Sequence, residues 1–207
     1  MGIISAVGNT VEENKTALLS SQSGIKDIHH INTKQAGSIK VGEVIFSNEE
    51  LISKLNLPEK NNFTRTALLG LFAAKEAIIN AGITDINEYK TGFISATSVG
   101  GMDMTERYLK QFGDDPDIQK YITSHHNGDS SQKIADALGI KDFVTTVSTA
   151  CSSAANAIIF AARLIKAGKL DRVLVGGADP LSKFTINGFK TLMILSDEVC
   201  TPFDAGR

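Results

Sequence analysis

An α/β fold with a mostly parallel mixed sheet and helices on both faces follows from three features of the sequence. Strand-like and helix-like segments alternate along the chain. The strand segments are short runs rich in apolar or β-branched residues, as expected for strands buried on both faces. Glycines stand where two of the helices must stop, at Gly82 and Gly139.

Taken in order, residues 2–8 read as a short strand running into a glycine turn. Thr10 and Glu13 have capping-box spacing, which starts a helix that continues to about Leu19. Residues 20–40 are polar and irregular. From 63 to 81, Phe63, Ala67, Leu71, Ala74, Ile78 and Ala81 recur at helical spacing before Gly82. Residues 91–97 form a buried strand that ends at Val99-Gly100-Gly101. A helix over 129–138 stops at Gly139, and β-branched residues make 143–147 the next strand. Residues 152–166 are helical and 172–177 are the last clear strand. The helix over 152–166 has almost no polar stripe, so it must be covered on all sides, by a layer beyond what this chain supplies.

The bulk numbers exclude several classes. A chain of 207 residues with 42% hydrophobic and 21% charged residues is ordinary for a globular protein. Its net charge of −2 gives no general attraction to nucleic acid or an anionic membrane. No apolar run reaches the ~18–20 residues that span a bilayer, and no signal-peptide layout opens the chain, so a cytoplasmic setting is expected. Cys151 and Cys200 lie far apart, which suggests neither a zinc site nor a disulfide framework. No repeat and no low-complexity segment divides the chain, and residues 1–207 are taken as one unit.

Cys151 is the candidate nucleophile. It stands where a buried strand turns into the apolar helix, in Val147-Ser148-Thr149-Ala150-Cys151-Ser152-Ser153. The positive end of a helix dipole favours the thiolate there, and first-turn N–H groups can receive the negative charge of an attacked carbonyl. The plainer alternative is a small buried hydrophobe, and Cys200 keeps that reading because it has no strand-to-helix setting. Neither a papain-like cysteine signature nor G-x-S-x-G occurs.

The segment Val147-Ser148-Thr149-Ala150-Cys151-Ser152-Ser153-Ala154 resembles the active-site segment of β-ketoacyl-[acyl-carrier-protein] synthases, which have the thiolase-like fold. Four further segments agree in order: residues 2–9, Ser98-Val99-Gly100-Gly101-Met102, Leu174-Val175-Gly176-Gly177-Ala178-Asp179, and Thr201-Pro202-Phe203-Asp204. The resemblance covers essentially the whole chain and implies the N-terminal half of that fold. It implies an acyltransferase in fatty acid or related polyketide or polyene synthesis. An acyl chain would pass from the phosphopantetheine of an acyl carrier protein to Cys151, and a decarboxylated malonyl group would then attack the thioester. No resident cofactor and no metal is implied.

The family's catalytic histidines and ordering lysine belong to a C-terminal half that the 207 residues do not include. A truncated, condensation-incompetent half is therefore expected. The alternative function is a non-catalytic half that complements a partner subunit. A thiolase acting on acyl-coenzyme A shares the fold, but the Thr149–Ser153 context is closer to the carrier-protein branch. The resemblance further places Val99 at the acyl pocket and puts Arg65, with Lys60 nearby, on a helix that docks the acidic carrier. Asp114-Asp115-Pro116-Asp117 is acidic where several relatives are basic. His29-His30 and His125-His126 fall in polar stretches and are read as surface or structural residues. Relatives pair as homodimers through the strand before the cysteine, so self-association is expected.

Overall fold

The computed structural model describes residues 1–111, 113, 115–196, 201 and 203–205. Three parallel strands form the central sheet: β3 (Thr91–Ala96), β4 (Phe143–Val147) and β5 (Arg172–Gly177), in the order β4-β3-β5. The register pairs Gly92 with Phe143 on one side of β3 and with Val173 on the other. All six residues of β3 are buried. Its side chains alternate between two cores, as the pleat requires.

One core receives Phe93 and is built by α3 (Arg65–Asn80) and α6 (Asn127–Leu138), with Leu68, Leu71, Ile134 and Ala135 nearly inaccessible to solvent. α2 (Asn48–Lys54) closes this layer through Leu51. The opposite core receives Ile94 and Ala96, which pack on Ala157 and Ala161 of α7 (Ser153–Lys166). Helices thus cover both faces of a parallel sheet, as the alternating pattern predicts. The buried contacts of α7 with the sheet are made by alanines, with Leu164 packed beside them.

Helix ends follow the local chemistry. Thr10 caps α1 (Val11–Leu19) by accepting from Glu13 N–H, while the Glu13 carboxylate reaches Asn9 N–H one residue before the expected partner. Ser47 and Glu50 make the full reciprocal box on α2, a helix whose S-x-x-E signal the sequence reading passed over. Gly139 ends α6 at φ +74°, and Gly82 follows α3 at φ +64°. Both are left-handed positions that suit glycine.

Two expectations need correction. Residues 2–8 form no strand: Ser5 and Gly8 close a tight turn on each other, and Glu76 of α3 accepts from Ile3 N–H and Val11 N–H. With those donors taken by a side chain, no ladder is needed. The stretch read as irregular contains a small antiparallel hairpin, β1 (Ile25–Asp27) with β2 (Lys40–Gly42). Helices α4 (Met102–Tyr108), α5 (Pro116–Gln119) and α8 (Lys183–Thr191) complete the described chain.

The apolar helix, expected to be covered on all sides, is buried on one face only. Ala157 and Ala161 are buried, whereas Ile158, Ile159, Phe160 and Ile165 on its outer face are 56%, 47%, 37% and 44% exposed. The layer that would cover this face is not among the described residues.

Candidate active site

Val147, Ala96 and Gly177 end the three parallel strands at one edge of the sheet, and the segments that follow them converge there. Ligand sites of open α/β sheets form at this carboxyl edge.

After β4 the chain passes Ser148 and Thr149, makes one tight helical turn over Ala150–Ser152, and enters α7. Cys151 is exposed on that turn. Ala150, just before it, has φ +53°. A non-glycine residue in this region costs about 1–3 kcal/mol and persists only where its surroundings fix it. Here they do. Thr149 N–H donates to Ser153 Oγ (2.8 Å), Ser153 Oγ donates to Ala150 O (2.7 Å), and Ser98 Oγ donates to the same oxygen (3.2 Å). Asn156, one turn into α7, donates to Thr149 Oγ1 (2.9 Å) and Ser152 Oγ (3.2 Å). No side chain caps α7; within the tight turn Ser152 N–H donates to Thr149 O (3.3 Å) and Ser153 N–H to Ala150 O.

The second wall is the loop after β3. Thr97 is buried, Ser98 is exposed, and Val99 is half-buried beside Gly100 at φ +51°. Thr66 Oγ1 of α3 donates to Gly100 O. A Cβ on Gly100 would approach Asn127 Oδ1 to 2.6 Å, and one on Gly101 would collide with Ser124 O. Both glycines are thus required by close approach. Asn127, the first residue of α6, ties the two walls by donating to Ser148 Oγ (3.0 Å) and Thr97 O (3.4 Å). From the segment after β5, Asp179 Oδ1 accepts from Thr97 Oγ1 (2.6 Å) and Ser98 N–H (2.9 Å).

Of the residues expected at the site, Cys151 and the loop carrying Val99 come together, joined through Ser98 and Ala150. Arg65 does not belong to a docking surface. It is 9% exposed, and its guanidinium donates to Asn48 Oδ1 (2.8 Å), Val44 O (2.9 Å) and Phe46 O (3.0 Å). Burial lowers its pKa, against the pull of Glu43, Asp103 and Glu49. These three bonds turn the guanidinium inward, where it braces α2 and the preceding segment against α3. Lys60 is exposed.

The histidines have local roles. His126 caps α6 through Nδ1, which accepts from Gly128 N–H (3.0 Å), and it lines an open cleft of about 510 Å³ along β4 with Ser131 and Ser148. His125 Nδ1 meets Thr105 Oγ1 at 3.1 Å, and His30 Nε2 meets Ile45 O at 2.7 Å. Among the described residues no cluster of His, Cys, Asp and Glu could hold a metal. Cys200 and Asp114 lie outside the described residues. Sequence reasoning gave no role to Ser98, Asn127, Ser153 or Asp179. Three of them, Ser98, Ser153 and Asp179, stood inside recognised motifs, but Ser98 and Asp179 find partners 52 to 82 residues away.

The family model described as the β-ketoacyl synthase N-terminal domain matches residues 1–207. The chain is 30% identical to 3-oxoacyl-[acyl-carrier-protein] synthase 2 of Vibrio harveyi, over the whole of this chain and 52% of that protein. Among solved structures, the ishigamide ketosynthase/chain length factor superposes over the whole chain and 52% of its own length, with a TM-score of 0.86 at 27% identity. A ketosynthase from Xenorhabdus doucetiae, solved in complex with its chain length factor, covers 98% of this chain and 51% of its own, with a TM-score of 0.78 at 27% identity. The chain spans about half the length of the curated relatives it matches.

Proposed function

The chain belongs to the β-ketoacyl synthase family as that family's N-terminal domain, and on that premise we propose that Cys151 is the acyl-accepting nucleophile of a condensing enzyme. The Cys151 thiolate attacks the carbonyl carbon of an acyl thioester carried on the phosphopantetheine of an acyl carrier protein. The tetrahedral oxyanion forms near the uncapped first turn of α7. It collapses by breaking the bond to the pantetheine sulfur, which leaves as a thiol after taking up a proton, and the acyl group remains on Cys151. Covalent capture divides a difficult exchange into two accessible steps. In the complete reaction a malonyl-carrier protein then loses CO₂, and its carbanion displaces Cys151 to give the β-ketoacyl product. The acyl chain arrives with the carrier, so no resident cofactor is invoked.

The observation that carries this reading is the exposed Cys151 on a strained, multiply hydrogen-bonded turn at the carboxyl edge of a parallel sheet. Incubation with a short acyl N-acetylcysteamine thioester, followed by peptide mass spectrometry, tests it. The expected result is a single acyl adduct on Cys151 that disappears in Cys151→Ala. Adducts on Cys200 in preference to Cys151 would overturn it.

Partners follow from the same reading. The relatives' chain length factor complexes and the exposed outer face of α7 support pairing with a second ketosynthase-like chain, a copy of this one or a complementing half. Exposed Lys60 is retained as a carrier-docking residue and Arg65 is not. Val99 is placed at the acyl pocket on the strength of its position in the loop facing Cys151. No helix among the described residues is long and apolar enough to cross a membrane, and we place the reaction in the cytoplasm.

The second reading, a half that serves only to complement a partner, is favoured by the same exposed α7 face. Retention of an accessible Cys151 on a fixed turn argues for the first.

A further inference from the structure

We propose that Asp179 is a positioning residue for the Cys151 turn, acting through Ser98. The inference rests on the nucleophile reading above and adds a residue to it. Asp179 follows β5, while Cys151 follows β4, and the two strands do not touch because β3 lies between them. A connection between their ends must therefore cross the loop that follows β3.

The hydrogen bonds make that crossing. Asp179 Oδ1 accepts from Thr97 Oγ1 (2.6 Å) and from Ser98 N–H (2.9 Å). Thr97 Oγ1, its proton given to Asp179, accepts in turn from Gly100 N–H (3.0 Å). These bonds fix the backbone of Ser98 and set the start of the turn that contains Val99. The Ser98 hydroxyl then donates to Ala150 O (3.2 Å) and lies 3.5 Å from Ser153 Oγ. Ala150 is the residue held at φ +53° immediately before Cys151. A carbonyl oxygen that accepts from both Ser98 and Ser153 cannot swing without losing both, so the left-handed turn is locked.

A carboxylate is suited to this role because its bonds to a hydroxyl and an N–H are stronger than those of a neutral acceptor. The chain also links Val99 to the nucleophile. An acyl chain that displaces the Val99 loop pulls on the same serine that holds Ala150, so pocket occupancy and Cys151 geometry are coupled.

The test uses the 207-residue chain with Asp179→Ala, Asp179→Asn, Ser98→Ala and the Asp179→Ala/Ser98→Ala double variant. Acylation of Cys151 by the N-acetylcysteamine thioester is timed, and amide hydrogen exchange is followed over residues 97–101 and 148–153. Each alanine variant is expected to slow acylation about tenfold, with the double variant no slower than either. Asp179→Asn, which keeps an acceptor, is expected within about threefold of the parent. Exchange over 148–153 is expected to quicken in Asp179→Ala although the side-chain hydrogen bonds of Asp179 go to Thr97 and Ser98.

Additive losses in the double variant would overturn the proposal, as would unchanged exchange over 148–153 in Asp179→Ala. Equal losses in Asp179→Asn and Asp179→Ala would also do so, because they would mark a general packing defect. If the parent chain takes no acyl group at all, the nucleophile reading fails, and the exchange measurement still decides whether Asp179 holds the turn.

Discussion

Asp103, in the first turn of α4, accepts from Arg65 N–H through Oδ2 (3.0 Å) while its Oδ1 is buried with no hydrogen-bond partner among the described residues. Burial pushes this carboxyl above the usual range, and the N–H groups of Arg65 and Met104 pull it only part of the way back. A carboxyl raised in the folded state gives stability that is full below its unfolded value and is lost as pH rises through its folded value. Asp103→Asn keeps the acceptor for Arg65 and removes the charge. The variant is therefore expected to match the parent at about pH 4 and to be the more stable of the two at about pH 7, read from urea midpoints at both. A stability difference that shrinks with rising pH would contradict this. Arg65, its neighbour, shows why single residue types mislead. An arginine on a helix is most often solvated, and nothing near it in sequence reveals that Val44 O, Phe46 O and Asn48 will enclose its guanidinium.

At the scale of elements, α7 is the most constrained. Ala157 is fully buried against Ile94 and Ala96, so Ala157→Leu is expected to overpack the site and cost about 1–3 kcal/mol by denaturant unfolding. Gly139→Ala, at φ +74°, is expected to cost about 1 kcal/mol or more because alanine must be forced into the left-handed region. Both sites were legible beforehand, one as part of an apolar helix and one as a helix stop. So were β4 and β5, whose β-branched and apolar runs coincide with the strands found. Among the elements that escaped notice, β1, β2 and α8 have a weak local signal. β1 and β2 are three residues each, and α8 carries Thr185, Ile186 and Gly188, poor helix formers held in place by tertiary contacts. Residues 2–8 failed in the other direction, because a strand-like sequence forms a strand only where a neighbour offers a ladder. The position of Cys151 at a strand-to-helix turn was readable from sequence. The hydrogen bonds that hold its turn were not, since they join segments that only the fold brings together.

For the whole molecule, the exposed outer face of α7 sets the behaviour in solution. Ile158 and Ile165 are 56% and 44% exposed, and α8 adds Phe184 at 58%. Apolar area of this kind drives association, so sedimentation is expected to show mass rising with protein concentration. Ile158→Glu with Ile165→Lys is expected to shift the chain toward monomer while leaving its unfolding midpoint nearly unchanged, because neither side chain is in the core. Monomeric parent chain at high concentration would contradict the expectation. The order of the sheet has a different consequence, felt before the molecule is finished. β3 is the central strand and the first of the three to be synthesised. At its base, Thr91 bonds Asp142 from 51 residues further on, and Lys90 bonds Asp171 from 81 residues further on. At about 5–20 residues per second, the ribosome delivers these partners only after several seconds. Through that interval a strand destined for full burial waits with both edges open, and parallel pairing over such separations is slow to form. The nascent chain is accordingly most open to wrong pairing from the emergence of Ala96 until Gly177 has left the exit tunnel.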